Sequence, residues 1–158
     1  TGTKTRSIKD PEEIMQTVIN TSVMAMDMGV HCFGFAQTDI RKYKGTEPFN
    51  LATWVGGVIG VIGRKYKFRS DYFKVDIDYC LQNLLADRII FQNTMYTFPQ
   101  KRDFNTGGNS KFRTEKKVKE SVDSLKEKWQ DYIDIKEFKN QFKIRIKVSR
   151  KQKGIQYE

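Results

Sequence analysis

Apolar positions along the chain first recur at helical spacing. Ile14, Val18, Thr21, Ala25 and Met28 fall on one face of a helix. Asp10-Pro11-Glu12-Glu13 ahead of them supply a cap, a first-turn proline and acids at the positive end of the dipole, and Gly29 is placed to end the helix. A second stripe, Met15, Ile19 and Met26, predicts that this helix is covered on more than one side. Val30 to Ala36 (VHCFGFA) reads as a short buried strand, and the polar stretch Gln37 to Pro48 as a loop.

The centre is richer in glycine. Asn50 is predicted to cap a helix from Leu51 to about Ile62, with Gly56, Gly60 and Gly63 near one side so that another helix can approach closely. Asp76 to Arg88 reads as an amphipathic helix whose stripe is Ile77, Leu81, Leu84, Leu85 and Ile89. Two short strands are expected next, Ile89–Phe91 and Met95–Phe98, joined by a turn at Gln92-Asn93-Thr94. Asn105 to Ser110 (NTGGNS) is a linker by composition. Thr114 can cap a long helix with Val118, Val122, Leu125, Trp129 and Tyr132 on one face. Phe142 to Val148 (FKIRIKV) alternates apolar and basic residues as a strand does. These elements make an α+β, helix-rich chain with two units, 1–104 and 111–158, joined by the linker 105–110.

Charge sharpens the picture. The 158 residues carry a formal net charge of +10, which favours a polyanionic partner. Residues 111–158 hold 15 Lys and Arg against 8 Asp and Glu, so most of the excess lies in the last third. Lys143, Arg145 and Lys147 share one face of the predicted strand, and Arg150, Lys151 and Lys153 extend the same field. Such a face can block edge-to-edge aggregation and still bind phosphate. A second basic run, Arg64, Lys65, Lys67, Arg69 and Lys74, is interleaved with Tyr66, Phe68, Tyr72 and Phe73, which can anchor the segment or stack on bases.

Catalytic readings find little support. GGVIGVIG lacks the Gly-Lys-Ser/Thr ending of a phosphate loop and the GxGxxG spacing of a dinucleotide fold. His31 beside Cys32, with Cys80 distant, is not a zinc spacing. No catalytic residues, metal ligands or cofactor are assigned. Asp71, Asp76 and Asp78 would be needed for a small metal-dependent nuclease, but Asp76 and Asp78 do not share a helix face. Two cysteines far apart in sequence make no disulfide framework, no secretory pattern opens the sequence, and Leu51 to Ile62 is too short for a membrane span of about 20 residues. An intracellular protein, nuclear or cytoplasmic and without membrane attachment, is expected.

Val75 to Phe98, VDIDYCLQNLLADRIIFQNTMYTF, following a basic turn, resembles a winged-helix module over residues 49–98. The resemblance implies DNA binding, with the helix entering the major groove and a hairpin touching the backbone. The outward face of that helix is read as Asp76, Asp78, Gln82, Asn83 and Asp87, whose acids repel phosphate and suit protein contacts instead. Val122 to Ile133, VDSLKEKWQDYI, is locally similar to the third helix of Myb or homeobox-like domains, which implies DNA contacts from Lys126 and Lys128. The expectation is a non-catalytic nucleic-acid-binding accessory subunit of a larger complex, DNA being favoured over RNA, with phosphate contacts from Arg64–Lys74 and Lys143–Lys153. Met24–Ala36 and the Gly-lined helix are the candidate protein contacts. A structural subunit of a ribonucleoprotein or other large assembly is the alternative from another class.

Overall fold

A computed structural model of the chain describes residues 5–37, 47–69, 74–98, 114–138 and 141–148. The predicted linker, the tail from Ser149, and with it Arg150, Lys151 and Lys153, lie outside them, as do Asp71, Tyr72 and Phe73. The fold is α+β. In chain order the elements are α1 (Pro11–Asp27), β1 (Cys32–Ala36), β2 (Phe49–Asn50), β3 (Ile59–Val61), α2 (Val75–Ala86), β4 (Phe91–Thr97), α3 (Glu115–Trp129), β5 (Ile133–Phe138) and β6 (Gln141–Ile146).

Four strands form a mixed sheet in the order β2-β4-β1-β3, with β4 parallel to β1 and the outer pairs antiparallel. Successive β1 side chains alternate between its faces. Phe33 joins Phe91, Ala25 and Val30 beneath α1, whereas Cys32 joins Tyr79, Cys80, Leu84 and Ile90 on the α2 side. The far side of α2, Ile77 and Leu81, packs against Leu125 of α3 and Ile133 of β5. The layers therefore run α1, sheet, α2, then α3 with the β5–β6 hairpin. Cys32 and Cys80, distant in sequence, lie together in this core as free thiols, and burial, with Cys32 alongside, pushes the Cys80 thiol well above its usual pKa.

Helix α1 starts and stops as its sequence demands. Asp10 Oδ1 accepts from the Glu12 amide, and Gly29 takes φ +67° just past the end. Its second stripe, however, is not covered. Met15 is 60% and Met26 59% exposed, against 0% for Ala25.

The predicted helix over 51–62 does not form. Asn50 Oδ1 accepts from the Ala52 amide in a local turn, Gly57 takes φ +76°, and Ile59–Val61 pairs with β1 instead. Gly, Val and Ile are weak helix formers, and here the sheet recruits them. The close approach served by glycine is that of strand to strand and loop. At Gly34 a Cβ would lie 2.7 Å from Val55 Cβ and 2.8 Å from the Val58 carbonyl oxygen.

The predicted hairpin at 89–98 is one continuous strand, β4, so the two-stranded wing implied by the winged-helix resemblance is absent here. The three residues read as its turn are buried in mid-strand because each finds a distant partner. Gln92 Nε2 donates to the Phe35 carbonyl (3.4 Å), Asn93 Nδ2 to Thr21 Oγ1 of α1 (3.1 Å), and Thr94 Oγ1 to the Glu47 carbonyl (2.6 Å). Strand β5, which was not anticipated, pairs antiparallel with β6 from Ile133↔Ile146 to Phe138↔Gln141.

Gly34→Ala should destabilise the protein by about 1–3 kcal/mol, because a backbone carbonyl and a β-branched side chain block the added methyl. Urea unfolding followed by circular dichroism measures this directly, and an unchanged midpoint would show that the β1 region can expand.

Candidate nucleic-acid interface

The basic residues fall into two groups, those engaged within the protein and those left facing water. Two of the first group, Arg69 and Lys128, converge on Asp78. This carboxylate is fully buried in the first turn of α2, where the helix dipole favours it. Its Oδ1 accepts from Trp129 Nε1 at 2.7 Å and lies 4.0 Å from Lys128 Nζ, while Oδ2 accepts from Gln82 Nε2 at 2.8 Å and lies 3.5 Å from Arg69 Nε. Lys128 also stands over the Trp129 ring, 5.1 Å from its centroid. Two cations and two neutral donors compensate one buried charge, and they tie α3 and the chain at Arg69 to α2.

This corrects the outward acidic face expected for the 76–88 helix. Asp78 and Asn83 are both fully buried, and Asp87 binds Lys65 at 2.6 Å. The α3 segment similar to a Myb helix turns its Leu125 and Trp129 inward as core and anchor. Of the acids named for a nuclease, Asp71 lies outside the described residues. Among the described residues no three His, Cys, Asp or Glu side chains form a group able to hold a metal.

The 64–69 segment is anchored by its aromatic rings. Phe68 stacks on Tyr79 with centroids 4.2 Å apart, and Tyr66 packs against the core. Burial raises the Tyr66 hydroxyl pKa, and the hydrogen bond to Asp87 raises that of Lys65. Arg64 and Lys67 remain exposed. Lys74 sits half-buried at the N-cap of α2 and is engaged there. Lys126 is exposed on α3, whose outer surface mixes it with Glu115, Glu120, Asp123 and Glu127.

The β5–β6 hairpin is different. Ile133, Ile135, Ile144, Ile146 and Val148 pack inward on α2 and α3. By alternation the other face carries Lys136, Lys143, Arg145 and Lys147, with Asp134 as its acid. Asp134 stands opposite Arg145 and its carboxylate binds Lys147 at 3.0 Å, so a single acid is shared. Lys136 is paired directly with Lys143. Like charges in that position are destabilising, by a few tenths to about 1 kcal/mol relative to a neutral pair.

Lys143, Arg145 and Lys147 are the residues expected here from the sequence, and Lys136 is a further one. The signal was present, since Ile133-Asp134-Ile135-Lys136 alternates as FKIRIKV does. Comparison with protein-family models, curated proteins and solved structures finds no match to this chain.

Asp78→Asn preserves shape but strips the counter-charge from Arg69 and Lys128. Removing one partner of a buried pair typically costs about 3–5 kcal/mol, and because both cations reach water here the expected loss is about 1–3 kcal/mol. A urea titration monitored by Trp fluorescence would register it, and a wild-type midpoint would mean that the carboxylate does not hold α3 in place.

Proposed function

We propose that the protein is a non-catalytic nucleic-acid-binding subunit that grips phosphates with the outer face of the β5–β6 hairpin. The observation that carries this reading is the Lys136↔Lys143 pair on a face of four cations and one acid. A structure that sets two lysines opposite each other gives up stability, and a bound phosphate between them converts that repulsion into attraction. Along β6 the cations recur every second residue, about 6.8 Å apart. Lys143 to Lys147 thus spans about 14 Å, comparable to the roughly 12 Å width of a DNA major groove and long enough to meet several phosphates.

Phosphate contacts made by these cations are electrostatic and indifferent to sequence. Arg64 and Lys67 are secondary contacts in this reading. Lys65, Arg69, Lys128 and Lys147 serve ion pairs within the protein first.

Fluorescence anisotropy with two unrelated 20-base-pair DNA duplexes and one RNA duplex tests the proposal. Three phosphate contacts predict a log–log salt slope of about −2.7, or a roughly 40-fold loss of affinity between 50 and 200 mM salt. Lys136→Glu should weaken binding several-fold while stabilising the fold by about 0.5 kcal/mol, because it replaces a like-charge pair with an attractive one. Absence of binding at 50 mM salt, or affinity untouched by Lys136→Glu, would remove the hairpin from this role.

A further inference from the structure

The opposite end of the molecule carries a surface of another kind. Along α1, Met15, Ile19, Val23 and Met26 are 60%, 45%, 48% and 59% exposed, and they form one stripe on the side turned away from the sheet. Isolated exposed apolar residues are ordinary, but a contiguous row along more than two turns of helix is not. The spacing of Met15, Ile19, Ser22 and Met26 is four, three, four, the seam into which a second helix packs. Ser22 donates its hydroxyl to the Ile19 carbonyl at 2.7 Å, so its polar group is satisfied within α1 and leaves a shallow point in the seam. Methionine side chains bend to fit a partner's surface, as helix-binding faces use them.

Charge selects the occupant. From Asp10 to Gln37 the chain contains no Lys or Arg, although it holds 29 of them in all. The charged residues of α1 are Glu12 and Glu13 at one end and Asp27 at the other, with no basic residue in the last turn. Glu13 is neutralised by Arg6, but Glu12 and Asp27 are exposed. A second copy docked antiparallel brings the acidic start of one α1 toward Asp27 of the other, and docked parallel it sets Glu12 against Glu12 and Asp27 against Asp27. Lys9, exposed just ahead of the cap, offsets one of these charges, and the remaining acids repel in both arrangements. A helix with an apolar seam and basic flanks is complementary to Glu12 at one end and to Asp27 at the other.

We propose that α1 is the docking surface for an amphipathic, basic-flanked helix of a different protein, bound along Met15, Ile19, Val23 and Met26. This surface is independent of the hairpin, and either assignment can fail alone.

Two synthetic 21-residue helical peptides test it, both with Leu at the seam positions, one flanked by Lys and one by Glu. Titrated into the labelled protein, the Lys-flanked peptide should bind at least about 10-fold more tightly than the Glu-flanked one, a difference of about 1.4 kcal/mol. That preference would run against the protein's net charge of +10 and so belong to the local surface. Ile19→Lys with Met26→Lys, and separately Ile19→Ser with Met26→Ser, should each weaken binding at least about 10-fold. Their unfolding midpoints should stay near wild type, because these side chains face water. Binding of neither peptide, equal binding of both, or binding unaffected by the variants would overturn the proposal. So would sedimentation as a dimer that Ile19→Lys dissociates, which would assign the stripe to a second copy.

Discussion

A single buried carboxylate organises the packing of the C-terminal third. Asp78 has no access to water, yet Trp129, Gln82, Arg69 and Lys128 surround both of its oxygens. Desolvating a carboxylate is costly, and only partners in good geometry offset the cost. The Trp129 indole matters most for position, because it donates one short, directional bond from the end of α3. The apolar contacts of Leu125, Ile77, Leu81 and Ile133 supply most of the burial. Those contacts alone would tolerate sliding of α3 over α2. The hydrogen bond and the two ion pairs give the layer one register.

From that register the outer surfaces follow. With α2 buried on two sides, the sheet and α1 stack on one of them, and α3 with the hairpin stacks on the other. The inward isoleucines of the hairpin fix its outward residues, since strand side chains alternate. Lys136, Lys143, Arg145 and Lys147 are thereby held together on one face of a two-stranded platform. The net positive charge is unevenly distributed as a result. The α1 layer is apolar and acid-rimmed, and the hairpin layer is basic.

How much of this was legible in the sequence differs by element, for physical reasons. Helices α1 and α3 carried their own caps and periodic stripes, and β6 its strict alternation, so local chemistry sufficed. The Gly-Val-Ile segment gave contradictory local preferences that strand pairing with β1 resolved. Gln92, Asn93 and Thr94 looked like a turn because polar residues in a strand need partners, and theirs come from 47 to 72 residues away in sequence. Asp78 looked exposed for the same reason, although α2 has more apolar residues than one stripe requires. That surplus hinted at burial on several sides. The basic character of residues 143–147 was visible, but its confrontation with Lys136 was not, because it depends on the register of a strand that was not anticipated.

The most direct test of the phosphate-binding account is a map of backbone amide chemical shifts during titration with a DNA duplex at low salt. The account predicts perturbations concentrated at Asp134–Lys136 and Lys143–Lys147, with α1 silent. Perturbations confined to residues 64–67 or to α3, or none at saturating duplex, would contradict it.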